Sequence, residues 1–202
     1  MNSSKTVLCI MFIMASRITL MFGQDTLLLQ SDSLIWGKLQ PVKCKKGTRV
    51  VMDKNSLLSE AVLAEDCYLW TARRLINFKK DNSITFNEDG YVVSGVLTER
   101  TLAWTGNESI YLRGESFIVF SDNGSVLEGE LSKNQEFTIK NKKVTFRRGE
   151  QMEFAESGTV LRGTIEYREH LENYQGKEKV YKAGSVLKFN EYAEVTENLS
   201  ED

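Results

Sequence analysis

Residues 85–97 read TFNEDGYVVSGVL, 119–131 read VFSDNGSVLEGEL and 153–165 read EFAESGTVLRGTI, one pattern three times over at a constant step. Phe86, Phe120 and Phe154 head the three stretches and set a period of about 34 residues. Met52 stands one period before Phe86, and Phe189 one period and one further position after Phe154. That gives five copies, with a degenerate first and a truncated last. Two positions before the aromatic runs an apolar column of Val50, Ile84, Ile118, Met152 and Leu187. Behind it recur Gly90, Gly124 and Gly158, then Gly95, Gly129 and Gly163, with Ala61 in the first copy. A fixed period of this length marks units that bury their faces against neighbouring copies.

Within each unit the pattern is that of strands. Val144–Phe146 and Met152–Phe154 alternate apolar and polar residues around Arg148-Gly149-Glu150, a hairpin signature, as do Ile76–Phe78 and Ile84–Phe86 around Lys80-Asp81-Asn82. The turns NEDG, SDNG and AESG end in a glycine that can take the positive φ of a tight hairpin. After them Val93-Gly95-Leu97, Leu127-Gly129-Leu131 and Leu161-Gly163-Ile165 share one phase, while Ser94, Glu128 and Arg162 face the other way. A fourth, weaker strand holds Tyr68–Trp70 and Leu102–Trp104, with Phe137–Ile139 in a shifted phase. Trp70 and Trp104 follow the apolar alternation, which assigns them to the core; the competing reading makes them a sugar platform. The inward glycines are expected to make room for a ring from an adjacent strand, either Trp70, Trp104 or the Phe column.

Four short strands in a repeat of about 34 residues leave no length for helices. The chain therefore reads as all-β: a continuous antiparallel meander of hairpin repeats of about 34 residues, stacked as an elongated sheet or β-solenoid, with a closed barrel or sandwich as the alternative. Glu166–Glu178 is expected to be a longer excursion.

Three segments follow. Residues 1–23 carry Lys5 and the apolar run Val7–Ala15, too short to span a bilayer, and read as an export signal. Residues 24–196 form one repeat domain and 197–202 an acidic tail. Cys9 lies inside the apolar run without the small pair of a lipoprotein signal. Once it leaves with the signal, Cys44 and Cys67 remain, an even count that permits one disulfide in an oxidising compartment. The repeat phase, with Cys44 inward and Cys67 outward, argues against the bridge.

Composition narrows the chemistry. A net charge of −2 with 26 basic and 28 acidic residues excludes an electrostatic nucleic-acid binder. His170 is the single histidine; Glu169 and Glu172 flank it, but no serine or cysteine nearby has a nucleophile context, and it reads as a solvated loop residue. The carboxylate pairs Glu128/Glu130, Glu153/Glu156 and Glu166/Glu169 read as solvated surface. The turns 87–90 and 121–124 are too short for a calcium loop. No cofactor or metal is expected. Charge is banded: residues 41–80 balance to +5, 81–140 to −6, 141–182 to +2 and the tail from 183 to −4.

The rhythm of FNEDGYVVSGVL and SVLEGELS is similar to the single-layer meander of spirochaete outer-surface lipoproteins, whose lipobox is missing here. Glycine-and-aromatic arrays of the MORN kind have a shorter period and a Tyr-x-Gly opening, both absent. No family follows from these residues. The expectation is an exported, non-enzymatic scaffold or binding module with a protein partner in the cell envelope or on a host surface. Membrane contact would come only through the N-terminal segment, and self-association through the open ends. A carbohydrate-active enzyme using exposed carboxylates and the Trp70/Trp104 stripe is the alternative.

Overall fold

A computed structural model describes residues 26–200. The expected export signal, residues 1–23, lies outside them. Among the described residues there are 21 strands and no helix. β1 (Thr26–Leu28) precedes five units of four strands. These are β2–β5 (Ser33–Trp36, Pro41–Cys44, Arg49–Met52, Leu58–Val62) and β6–β9 (Cys67–Trp70, Leu75–Phe78, Ser83–Phe86, Val92–Val96). Next come β10–β13 (Thr101–Trp104, Ser109–Leu112, Phe117–Phe120, Val126–Glu130) and β14–β17 (Gln135–Ile139, Lys142–Phe146, Gln151–Phe154, Val160–Thr164). The last is β18–β21 (Glu169–Glu172, Glu178–Tyr181, Val186–Phe189, Val195–Asn198).

The elongated antiparallel sheet expected from the repeat is present, and it is open rather than closed into a barrel. The last two strands of every unit, with β1, form one 11-stranded sheet in strict chain order. The first two strands of each unit leave that sheet as a separate two-stranded hairpin, so the hairpins expected across Lys80-Asp81-Asn82 and Arg148-Gly149-Glu150 do not form: β7 pairs with β6 and β15 with β14. The hairpins lie over one face, so the molecule has two layers where a continuous meander would have one. Antiparallel bridges Cys44↔Leu63, Phe78↔Leu97, Leu112↔Leu131 and Phe146↔Ile165 seat the end of each of the first four hairpins on the sheet.

The core fills the space between the layers. Val50, Ile84, Ile118, Met152 and Leu187 are fully buried, as their column requires. Facing them from the hairpins are Leu69, Ala103, Phe137 and Leu171, one per unit at the repeat period and all buried. Phe137 therefore keeps the register of Leu69 and does not shift phase. Phe137 packs at 5.7 Å against Phe146 and at 5.5 Å against Phe154, and Phe146 at 6.2 Å against Phe189. These rings make the last two units the aromatic end of the core.

One expectation about phase is corrected. The sheet register slips at the same point in all five units, as between Thr85 and Phe86, where Phe86 faces Val92 but Thr85 faces Ser94. This bulge inserts one residue and rotates the strand. Val92, Val126 and Val160 are thereby buried, with Leu58 and Val195, while Val93, Leu127 and Leu161 are only partly covered. The turn before each bulge holds Gly90, Gly124 and Gly158 at φ of +83°, +77° and +86°.

The expected excursion at 166–178 contains the fifth hairpin, β18 paired with β19. Its loop, 173–177, is longer by a single residue than loops 37–40, 71–74 and 105–108, which is why Phe189 falls one position late after Phe154. The last unit is complete. Glu197 and Asn198, expected in an acidic tail, pair with Lys188 and Leu187.

Candidate functional site

The hairpin layer has an outer face, and its composition changes along the molecule. In β2, β6 and β10 the alternation that buries Leu69 and Ala103 turns Leu34, Trp36, Tyr68, Trp70, Leu102 and Trp104 the other way. Trp36 is 65%, Tyr68 55% and Trp70 47% exposed, and Trp104 is half-buried. The expectation that Trp70 and Trp104 lie in the core is overturned: the smaller residue between each pair takes the inward place. All three tryptophans of the chain stand on this face, each one repeat period from the next.

Cross-strand neighbours complete the surface. Trp36 faces Pro41, Trp70 faces Leu75 and Trp104 faces Ser109; Leu34 faces Lys43, Tyr68 faces Asn77 and Leu102 faces Tyr111. In the last two hairpins the equivalent positions are Glu136, Thr138, His170 and Glu172, so the apolar stripe ends after the third hairpin. Contiguous exposed apolar area of this kind is uncommon on a soluble surface unless something docks there.

The hairpins are held side by side without a shared strand ladder. Gln40 Nε2 donates to the Tyr68 carbonyl at 2.8 Å, the Arg74 guanidinium to Leu102 at 2.7 Å and Lys142 Nζ to His170 at 2.6 Å. These donors occupy one repeat position and reach the next hairpin's backbone, which fixes the platform. Cations border its far end. The Arg73 guanidinium lies 6.0 Å from the Trp104 ring centre, Arg100 4.2 Å and Lys133 Nζ 4.9 Å from that of Tyr111.

A second feature lies at the other end, where hairpin four turns in two residues and hairpin five in five. Ile139, Lys140, Leu171, Glu172, Glu178 and Ala193 line a shallow cleft of about 290 Å³. Its charges are matched. Lys140 Nζ sits 2.9 Å from Glu194 and 3.0 Å from Glu172, and hydrogen bonds to these carboxylates raise its pKa above the ordinary lysine value. Lys142 bonds Glu178 at 2.7 Å and holds that carboxyl below its ordinary value.

The other candidates fall as follows. His170 is exposed on β18, opposite Val180, and so belongs to a strand rather than a loop. Glu128 stands directly across from Glu153, and Arg162 binds Glu153 at 2.8 Å. Glu166 takes a 2.8 Å bond from Arg147. Cys44 is buried as its phase requires, whereas Cys67, expected to face outward, shares the phase of Leu69 on β6 and is half-buried against the core; both are free thiols. Asn87 Oδ1 accepts the amides of Asp89 and Tyr91 within its own turn. Among the described residues no three His, Cys, Asp or Glu side chains group as metal ligands. Phe78 lies over Gly95 and Phe146 over Gly163, whereas Leu112 takes that place over Gly129. The rings that need the glycines thus come from the second hairpin strand, not from Trp70, Trp104 or the Phe column.

One cue to the exposed face was present in the sequence. The column of Trp36, Trp70 and Trp104 continues as Thr138 and Glu172, whereas a buried column stays apolar in every copy. No protein-family model, no curated protein sequence and no solved structure matches the chain.

Proposed function

We propose that this chain is an exported, non-enzymatic β-repeat module whose first three hairpins present a docking platform to a component of the cell envelope or of a host surface. The observation that supports it is the row of Trp36, Trp70 and Trp104 on a braced, solvent-facing layer. A two-layer repeat makes a long rigid surface from identical parts, and large aromatic side chains supply most of the binding energy at such surfaces. The ion pairs of the cleft at the opposite end tie the fourth hairpin to the fifth and to the turn between β20 and β21.

Co-sedimentation tests this reading. Purified protein is mixed with the envelope fraction of the source cells, alongside a Trp36→Ser/Trp70→Ser/Trp104→Ser variant of unchanged thermal transition. Wild type should pellet with the fraction and the variant should remain in the supernatant. Equal pelleting of the two would remove the platform from the function.

A further inference from the structure

We infer that the ligand of this platform is an extended acidic polysaccharide, laid along the tryptophan row with the open rings of Trp36 and Trp70 each under one disaccharide and its charged groups at the cations around Trp104. The inference rests on the docking role proposed above and adds the chemistry of what docks.

Pitch carries the first part. Each unit adds two strands to the long sheet, and neighbouring strands lie about 4.8 Å apart, so successive hairpins advance by about 9.5 Å. Trp36, Trp70 and Trp104 end the first strand of their hairpins, at one repeat position. They therefore form a row running across the strands with that step. The step matches the length of a disaccharide in an extended polysaccharide chain. It is too long for stacking consecutive bases of a single-stranded nucleic acid, which strings aromatics at every base. A β-strand peptide would add along a sheet edge through backbone bonds, and the row lies on a face.

Charge carries the second part. The first two hairpins, residues 33–44 and 67–78, contain Lys38, Lys43, Arg73 and Arg74 and no acidic residue. Lys38 and Lys43 are engaged by Asp89 and Glu65, which leaves the argument to the arginines and their neighbours. Arg73 lies over the ring of Trp104, and Arg100 and Lys133 over that of Tyr111; all three cations are exposed, and none is in an ion pair among the described residues. A cation held against an aromatic face keeps its charge available at the level of that face. A sugar ring stacked on tryptophan would bring its carboxylate or sulfate to that level. Tyr68 and Asn77, opposite one another between the first and third tryptophans, add polar groups to the same surface.

Tryptophan emission reports binding directly, because all three tryptophans of the chain stand in the row. The probes are hyaluronan oligosaccharides of increasing length, polygalacturonate, neutral chitin oligosaccharides, a poly(dT) oligonucleotide and anionic phosphatidylglycerol vesicles. Emission should shift with hyaluronan or polygalacturonate, and affinity should rise with chain length until about six sugars span the three rings. Trp70→Ala should weaken binding at least tenfold, and Arg73→Gln/Arg100→Gln should weaken the acidic chains by a larger factor than any chitin binding. Chitin binding as tight as the acidic chains would overturn the charge assignment. A response to poly(dT) or vesicles without one to either acidic polysaccharide would overturn the ligand class. If the tryptophan triple variant loses envelope binding while no polysaccharide shifts the emission, the docking role stands and the polysaccharide is wrong.

Discussion

Phe78 occupies the space that a side chain at Gly95 would need: a Cβ there would stand 2.7 Å from the ring's Cδ1 and 2.6 Å from Cδ1 of Ile84. The glycine therefore sets how closely the hairpin layer approaches the sheet. One unit earlier the same two register positions hold Cys44 and Ala61, a smaller side chain against a larger one.

That contrast yields a paired prediction. Gly95→Ala alone should destabilise the fold by about 1–3 kcal/mol through overpacking. Phe78→Cys alone should cost about 3–5 kcal/mol through the cavity it leaves. Together they recreate the first unit's pair, and the double variant should lose at least about 1 kcal/mol less than the sum. Urea denaturation of the four proteins measures the coupling; simple additivity would show that the two side chains do not share the space.

Turn conformation gives a stabilising change. Ser56 and Ala193 stand where the middle units have Gly90, Gly124 and Gly158, and they hold φ of 60° and 58°. A non-glycine residue there carries a steric cost of about 1–2 kcal/mol, partly offset by the smaller unfolded-state entropy of alanine. Ala193→Gly should raise stability by about 0.5–1 kcal/mol, read as a higher urea midpoint. A lower midpoint would mean that contacts of the Ala193 methyl at the fifth hairpin outweigh the backbone term.

The two thiols predict a pH dependence. Burial pushes Cys44 up from 9.0 to about 12 and Cys67 up to about 11. Above pH 9 the unfolded chain loses these protons while the native state keeps them, so stability is full below that pH and falls as pH rises towards 11–12. The urea midpoint of wild type should drop more steeply over this range than that of Cys44→Ala. Parallel curves would contradict the burial effect. Because thiolate is the reactive form, iodoacetamide at neutral pH should label both thiols slowly in the native protein and readily after unfolding. Failure to label after unfolding without reductant would reveal a Cys44–Cys67 bridge.

Exposure of the tryptophans is the simplest check on the platform. Native emission should be red-shifted, and acrylamide should quench Trp36 and Trp70 nearly as well as in the unfolded chain. Trp104, half-buried beneath Arg73, should supply the residual protected fraction. Blue-shifted emission protected from acrylamide would place the row in the core and remove the docking face.

Much of the architecture is legible in the repeat. The buried column from Val50 to Leu187 and the positive φ of Gly90, Gly124 and Gly158 follow from spacing alone, because neighbouring copies must satisfy the same local geometry. The platform is less legible. Trp70 and Leu69 both belong to an apolar run, and size favours burying the larger. Only comparison across all five copies, where Trp gives way to Thr138 and Glu172, marks the column as exposed.

The sequence by itself determined the period, the strand content and the outward phase of Ser94, Glu128 and Arg162, since those depend on alternation and turn chemistry within a few residues. Tertiary structure decided which strand pairs joined the long sheet and which folded over it. It also decided that the bulge buries Val92 instead of Val93, and that Leu69 rather than Trp70 enters the core. The physical reason is the narrow gap between the layers. In the second hairpin Phe78 already fills the space above Gly95, and the strand beside it seats Leu69 inward and turns Trp70 outward.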